Sequence, residues 1–177
     1  MKLTIRQEQV QDYQTTANVI RLAFENMEFS DKKEHFLVGR LRKSDAFIAS
    51  LSLVAINEVN NIVGHILLTK IKIKNDEHVA DSLALAPVSV LPAYQNKGVG
   101  KLLINKALQR AKEEGFTSVV VLGHPNYYPK FGFKKASLWN IRAPFEIPDE
   151  LFMALELEEN ALKDVSGVVE YAKEFFE

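Results

Sequence analysis

Apolar residues recur along this chain with two periods, and the period separates segments that coil from segments that extend. Residues 2–7 alternate like a short strand. Tyr13, Ala17, Ile20, Phe24 and Met27 then follow the helical repeat, with Asp12 placed to cap the helix they define. Asp31 and Glu34 have the spacing of a capping box, and Leu37, Val38 and Leu41 extend a second amphipathic stretch to about Lys43. From Ala46 to Ile56 the chain is apolar and β-branched, Asn60–Asn61 interrupts it, and an extended pattern resumes from Ile62 to Lys74. Two antiparallel strands joined by a turn are predicted. Lysines and isoleucines alternate over Lys70–Lys74, so one face of that strand end meets solvent.

A third strand spans Ser82–Leu91 and stops at Pro92. A glycine-bearing loop follows, then a helix ending near Gly115, then Ser118–Leu122, whose three consecutive valines suit a buried strand. Strand, loop, helix and strand in that order make a crossover unit, which puts the chain in the α/β class. Leu151–Leu157 is a further strand. In the tail, Gly167–Tyr171 fits a short strand or a helix, and the strand is favoured. No repeat, low-complexity tract or linker interrupts the sequence. Residues 1–177 are expected to form one domain, best defined over 3–157, with 158–177 an extension packed on it.

Composition then narrows the function classes. Hydrophobic residues make up 47% of the chain and charged residues 25%, so a globular protein without a membrane span is expected. Lys and Arg number 22 against 23 Asp and Glu, a formal net charge of -1 that lacks the basic footprint of a general nucleic-acid binder. The absence of cysteine excludes disulfides, thiol nucleophiles and thiolate metal sites. His35, His65, His78 and His124 share no ligand spacing, and no metal is expected. The N-terminal residues lack the apolar core of a secretory signal, so a cytoplasmic location is expected.

The loop Gln95-Asn96-Lys97-Gly98-Val99-Gly100-Lys101 lies between a strand and a helix, where bare amides and the helix N-terminus favour phosphate. A dinucleotide fingerprint would need a third glycine, and a Walker loop would need Ser or Thr where Leu102 stands. Glycines of this spacing also serve tight helix–sheet packing. The Q-x-x-G-x-G pattern of Gln95–Gly100 resembles the signature of the GCN5-related N-acetyltransferase (GNAT) family. About thirty residues on, Tyr128-Pro129-Lys130-Phe131-Gly132-Phe133 is similar to the Y-x-x-x-G-F segment of the same family, and LGHPNYYPKFGF looks most like its bacterial YhbS-type branch.

The resemblance implies a mixed, mostly antiparallel sheet with helices on both faces and a V-shaped cleft for acetyl coenzyme A, which serves as cosubstrate without a metal. It implies transfer of the acetyl group to an amine, with Gln95, Asn96, Lys97, Gly98, Val99, Gly100 and Lys101 around the pyrophosphate. By the same resemblance, backbone groups of Val88 and Val90 hold the pantetheine arm and thioester, with the Val90 N–H placed toward the developing oxyanion. Asn126 contacts the pantetheine amide or caps the short helix after it, and Tyr128 is the general acid, although adjacent Tyr127 leaves the register open. The family's strand carboxylate has no counterpart in Ser82–Val90, so no general base is assigned among His65, His124, Glu25 and Glu28. Trp139, Phe145, Phe152 and Phe175 either wall an acceptor pocket or fill the core. A non-catalytic cofactor sensor is the alternative reading. The acceptor is an unidentified small molecule, peptide or protein amine, and a homodimer is left open.

Overall fold

The computed structural model describes all of residues 1–177. Its frame is one nine-stranded sheet whose path runs β1 (Thr4–Gln7), β2 (Ser52–Ile56), β3 (Ile62–Lys74), β4 (Val79–Val90), β5 (Ser118–Leu122), β8 (Phe152–Glu156) and β6 (Lys134–Lys135). Off this path, β9 (Gly167–Glu170) pairs with β3 and with β7 (Ile141–Arg142). All pairings are antiparallel except β4 with β5 and β7 with β9. The sheet is therefore mixed and mostly antiparallel.

Side-chain alternation along β3 sorts the helices. Leu67, Ile71 and Ile73 turn one way, where α1 (Tyr13–Phe24) and α2 (Glu34–Leu41) bury Ile20, Val38 and Leu41 against Leu67. Ile66 and Leu68 turn the other way, under the apolar stripe Leu103, Ile104, Ala107 and Ala111 of α3 (Val99–Glu113). Each fully buried leucine or isoleucine on that stripe contributes about 1.5–3 kcal/mol, so packing rather than helix propensity fixes α3 on the sheet. No helix is long and apolar enough to cross a membrane.

Three local expectations are corrected. The Asp12 carboxylate does not cap α1; it accepts two bonds from the Arg6 guanidinium, at 2.7 and 3.0 Å, and one from the Gln9 N–H at 2.8 Å. The Arg6 charge holds this carboxyl below its ordinary pKa and wins over the weaker cap. Asp31 and Glu34 make no capping box, because α2 begins at Glu34 itself and Asp31 accepts from the Lys33 N–H. The strand predicted from Ala46 is shorter: Ala49–Leu51 forms a single tight turn that buries Leu51, and β2 starts at Ser52. In the tail, the strand reading holds, since Val168–Glu170 pairs with Lys72–Lys74.

Candidate active site cleft

The cleft is created where two parallel strands part. β4 and β5 pair only at Leu83 with Val119 and Ala84 with Val120, after which the β5-facing edge of β4 has no strand partner. On its other edge β4 carries a bulge, because Ala86 and Pro87 both stand opposite Leu67 between the pairs Leu68–Leu85 and Ile66–Val88. Bulges raise local twist and turn a strand away from its neighbour. A cavity of about 600 Å³ fills the opening on the α3 face.

The direction of the main chain along this wall follows from one hydrogen bond. Leu91 N–H donates to the Val63 carbonyl at 2.9 Å, so Leu91 faces β3 and Val90 faces away from it. Alternation then turns the N–H and C=O of Val88 and Val90 into the cleft. The Gln95 amide confirms the sense, since it reaches back to donate to the Val90 carbonyl at 3.0 Å. Val88 and Val90 also line the cavity with their side chains.

At the cleft's end the chain turns sharply into α3. Gly98 sits at φ +85° with open space where a Cβ would stand, and Asn96 also has positive φ at +61°. An L-residue at Gly98 would be strained by about 1–2 kcal/mol. The turn leaves the N–H groups of Asn96 through Lys101 without a carbonyl or side-chain acceptor in the chain. These amides crowd at the positive end of a fifteen-residue helix. Lys101 and Lys130 border the same cavity, while the Lys97 ammonium lies 5.8 Å over the Tyr94 ring, where the cation meets the face of the aromatic. The ensemble presents donors and positive charge, and no group of three or more His, Asp or Glu side chains in the chain is arranged to hold a metal ion.

Two tyrosines follow β5 and differ in placement, since only Tyr127 is among the residues lining the cavity and Tyr128 stands behind it in the core. Tyr127 borders the cavity, with its hydroxyl 3.2 Å from the point a Cβ on Gly100 would occupy. Tyr128 is only 8% exposed, its ring against Gly123, where a Cβ would come within 2.2 Å of Cε2, and edge-on to Phe133. Its hydroxyl makes no hydrogen bond within the chain and still touches open space, unlike the enclosed hydroxyls of Thr16, Thr69 and Ser89. Burial, then the neighbouring Tyr127, pushes the Tyr128 phenol up to about 12, and burial raises Tyr127 as well. Both are phenols rather than phenolates at neutral pH. Asn126 is exposed outside the cavity lining, its own N–H donating to His124 Nδ1 at 3.2 Å.

The possible bases are placed elsewhere. His65 is fully buried on the α1 face: the Ser52 hydroxyl donates to Glu8 at 2.9 Å, so His65 Nε2, 3.0 Å from the same oxygen, must be the donor there. Its Nδ1 is left enclosed without a partner. Glu25 and Glu28 are exposed beyond the end of α1, and His124 is exposed. No Asp, Glu or His lines the cleft.

Burial holds the His65 pKa down at about 4, outweighing the attraction of Glu8 and assisted by the Arg42 charge. Unfolded, this imidazole takes a proton below about pH 6.5, so over the interval down to about 4 the unfolded chain binds more protons and folding weakens. The stability is complete above about pH 6.5 and falls as pH drops. Denaturant titrations should show wild type losing roughly 2 kcal/mol more than His65→Gln between about pH 7.5 and pH 5. Parallel losses in the two proteins would refute the neutral buried imidazole.

Met27, Tyr94, Asn105, Lys130 and Phe131 also border the cleft and escaped the sequence reading. Asn105 carried a signal, four residues after Lys101 on one face of α3. Lys130 and Phe131 lie inside the second signature. Met27 had no local signal, since only the return of the chain after α1 brings it here.

With this geometry in place, the comparisons with known proteins agree. Residues 5–133 match the acetyltransferase (GNAT) family. The chain is 38% identical over 127 residues to the uncharacterized N-acetyltransferase YjhQ of Escherichia coli, covering 71% of this chain and 70% of that protein. It superposes on the crystal structure of Escherichia coli YhbS in complex with CoA with a TM-score of 0.89 at 25% identity, over 100% of this chain and 93% of that one. A GNAT acetyltransferase from Brucella melitensis in complex with acetyl-CoA gives 0.80 at 30% identity, over 98% of each chain. By fold, by the amide-lined cleft and by sequence, the chain belongs to the GNAT family of acetyltransferases.

Proposed function

We propose that the protein transfers the acetyl group of acetyl coenzyme A directly to a primary amine. The observation that carries the reading is the pairing of a row of partnerless amides, Asn96 to Lys101, with the unpaired edge of β4 in one cleft. The amides and Lys101 suit the diphosphate. The Val88 and Val90 main-chain groups suit the pantetheine amides, and the Val90 N–H suits the thioester carbonyl, where a fixed donor would stabilise developing negative charge.

When bound, the thioester supplies an activated acetyl carbon. The amine nitrogen forms the new C–N bond, the C–S bond breaks, and the sulfur takes a proton from the Tyr128 hydroxyl, which recovers it from solvent. The proton lost by the amine goes to water, since no carboxylate or imidazole faces the cleft. The absence of cysteine is in keeping with direct transfer rather than a thiol-linked acyl-enzyme. Incubation with acetyl coenzyme A and a broad amine panel, followed by thiol release and product mass, tests the activity. Amine-dependent thiol release with one added acetyl group is expected; tight cofactor binding without acetylation of any amine would mark a cofactor sensor instead.

A further inference from the structure

On the other face of the sheet, opposite α3, the same parting strands floor a second cavity. It has a volume of about 260 Å³, and all ten residues that line it are hydrophobic. Ala84–Ala86 and Val120–Leu122 form the floor, at and just beyond the last paired residues of β4 and β5. Leu85 and Val121, from the middle of each floor segment, belong to the core that holds Tyr128, so the groove lies across the same parting strands from the acyl cleft, with no lining residue in common. The walls are aromatic. Phe145 stacks on Tyr171 at 6.3 Å and 19°, and Tyr171 packs against Phe175 at 5.0 Å. Leu122, Phe145 and Phe176 remain 44%, 39% and 64% exposed around one opening. A contiguous exposed apolar patch beside a cavity marks a binding site, whereas single exposed hydrophobics do not.

We propose that this groove receives the acceptor, and that the acceptor is a primary amine carried on a single aromatic ring or a branched aliphatic chain. The proposal rests on the acetyl-transfer reading, because the strand gap between the two cavities is the route by which such an amine would reach the thioester. Three physical arguments support it. The volume lies just below the roughly 300–1,000 Å³ of drug-sized sites, which suits one ring better than a folded peptide segment. A polyamine or an acidic amino acid would strip its extra charges of water against walls with no charged side chain, where the Tyr171 hydroxyl is the one polar side-chain group. An apolar environment also disfavours an ammonium relative to the free amine, which is the form needed where the cleft supplies no base. The transfer balances as above: the neutral amine gains the acetyl group, the released sulfur gains one proton, and one proton leaves the nitrogen for water.

The test compares 2-phenylethylamine and isopentylamine with spermidine and a lysine-centred tripeptide, reading thiol release at saturating acetyl coenzyme A. The apolar amines should have kcat/KM at least about tenfold higher, and Phe176→Ser or Phe145→Ser should lower kcat/KM for 2-phenylethylamine by about tenfold, the loss set by buried apolar area. Calorimetric affinity for acetyl coenzyme A should be unchanged in both variants. Phe176 is largely exposed, so that variant folds independently of the outcome. Titration of 2-phenylethylamine into CoA-loaded protein by NMR reads the groove without turnover. Equal kcat/KM for spermidine, or no phenylethylamine binding, would overturn the proposal. So would a dimer broken by Phe176→Ser while amine choice stays flat, or a Phe176→Ser defect confined to hexanoyl coenzyme A as donor. Failure to bind acetyl coenzyme A would remove the transfer reading itself, and the amine titration on free protein would still decide the groove.

Discussion

Replacing Tyr128 with phenylalanine is expected to lower the turnover number by about 100-fold while leaving affinity for acetyl coenzyme A within about twofold, the pattern of a lost proton donor. The ring is the packing element, wedged against Gly123 and Phe133, and phenylalanine keeps it. Its hydroxyl has no partner in the chain, so its removal leaves no protein group unsatisfied. A fall in rate would therefore report chemistry rather than unfolding. Tyr127→Phe provides the contrast: its hydroxyl stands against Gly100 at the phosphate end, and its loss should raise KM for acetyl coenzyme A with a smaller effect on turnover. Unchanged turnover in Tyr128→Phe would remove Tyr128 from the mechanism, and a collapse confined to Tyr127→Phe would transfer the role to its neighbour.

The second large effect concerns stability. Glu8→Ala should destabilise the protein by about 3–5 kcal/mol, the scale for breaking a buried ion pair from one side. Glu8 follows β1 with no exposed side-chain surface and accepts from Arg42 at 2.7 Å and from Ser52 at 2.9 Å. Arg42 follows α2, stacks 4.0 Å over the Tyr13 ring and is 9% exposed, so the variant would strand its charge. One carboxylate thus ties β1, β2, α1 and α2 on the face away from the cleft. Equilibrium denaturation should reveal the loss; a change under about 1 kcal/mol would mean that water replaces the pair, as at surface ion pairs.

The elements legible in the sequence were those governed by local chemistry. β3 and β5 fall on the predicted residues because their apolar runs are bounded by Asn60–Asn61 and by Gly115. The phosphate-type loop was legible because glycine and free amides act where they stand. Asp12 misled because Arg6, six residues earlier, offered its carboxylate a charged partner that no helical pattern encodes. The sequence leaves His65 as one of four unassigned possible bases, and only the stacking of α1 over β3 reveals that its ring is sealed from the cleft. The four residues of β9 are too few to display a period, and pairing with β3 decided them. The sequence leaves Phe145 and Phe175 as pocket wall or core alike. The fold places both on the groove, while Phe152 is buried in the core beneath the sheet's second face.

The central claim is that the partnerless amides of Asn96–Lys101 hold a diphosphate and so aim a thioester along β4. Calorimetric titration of acetyl coenzyme A beside S-acetylpantetheine, which lacks the nucleotide and diphosphate, tests it most directly. Two charge-assisted hydrogen bonds at about 1.5 kcal/mol each predict acetyl coenzyme A binding at least about 100-fold tighter, with the about 1–2 kcal/mol of strain in Gly98→Ala narrowing that gap by about 5- to 30-fold. Equal affinity for the two thioesters, unaffected by Gly98→Ala, would contradict the account.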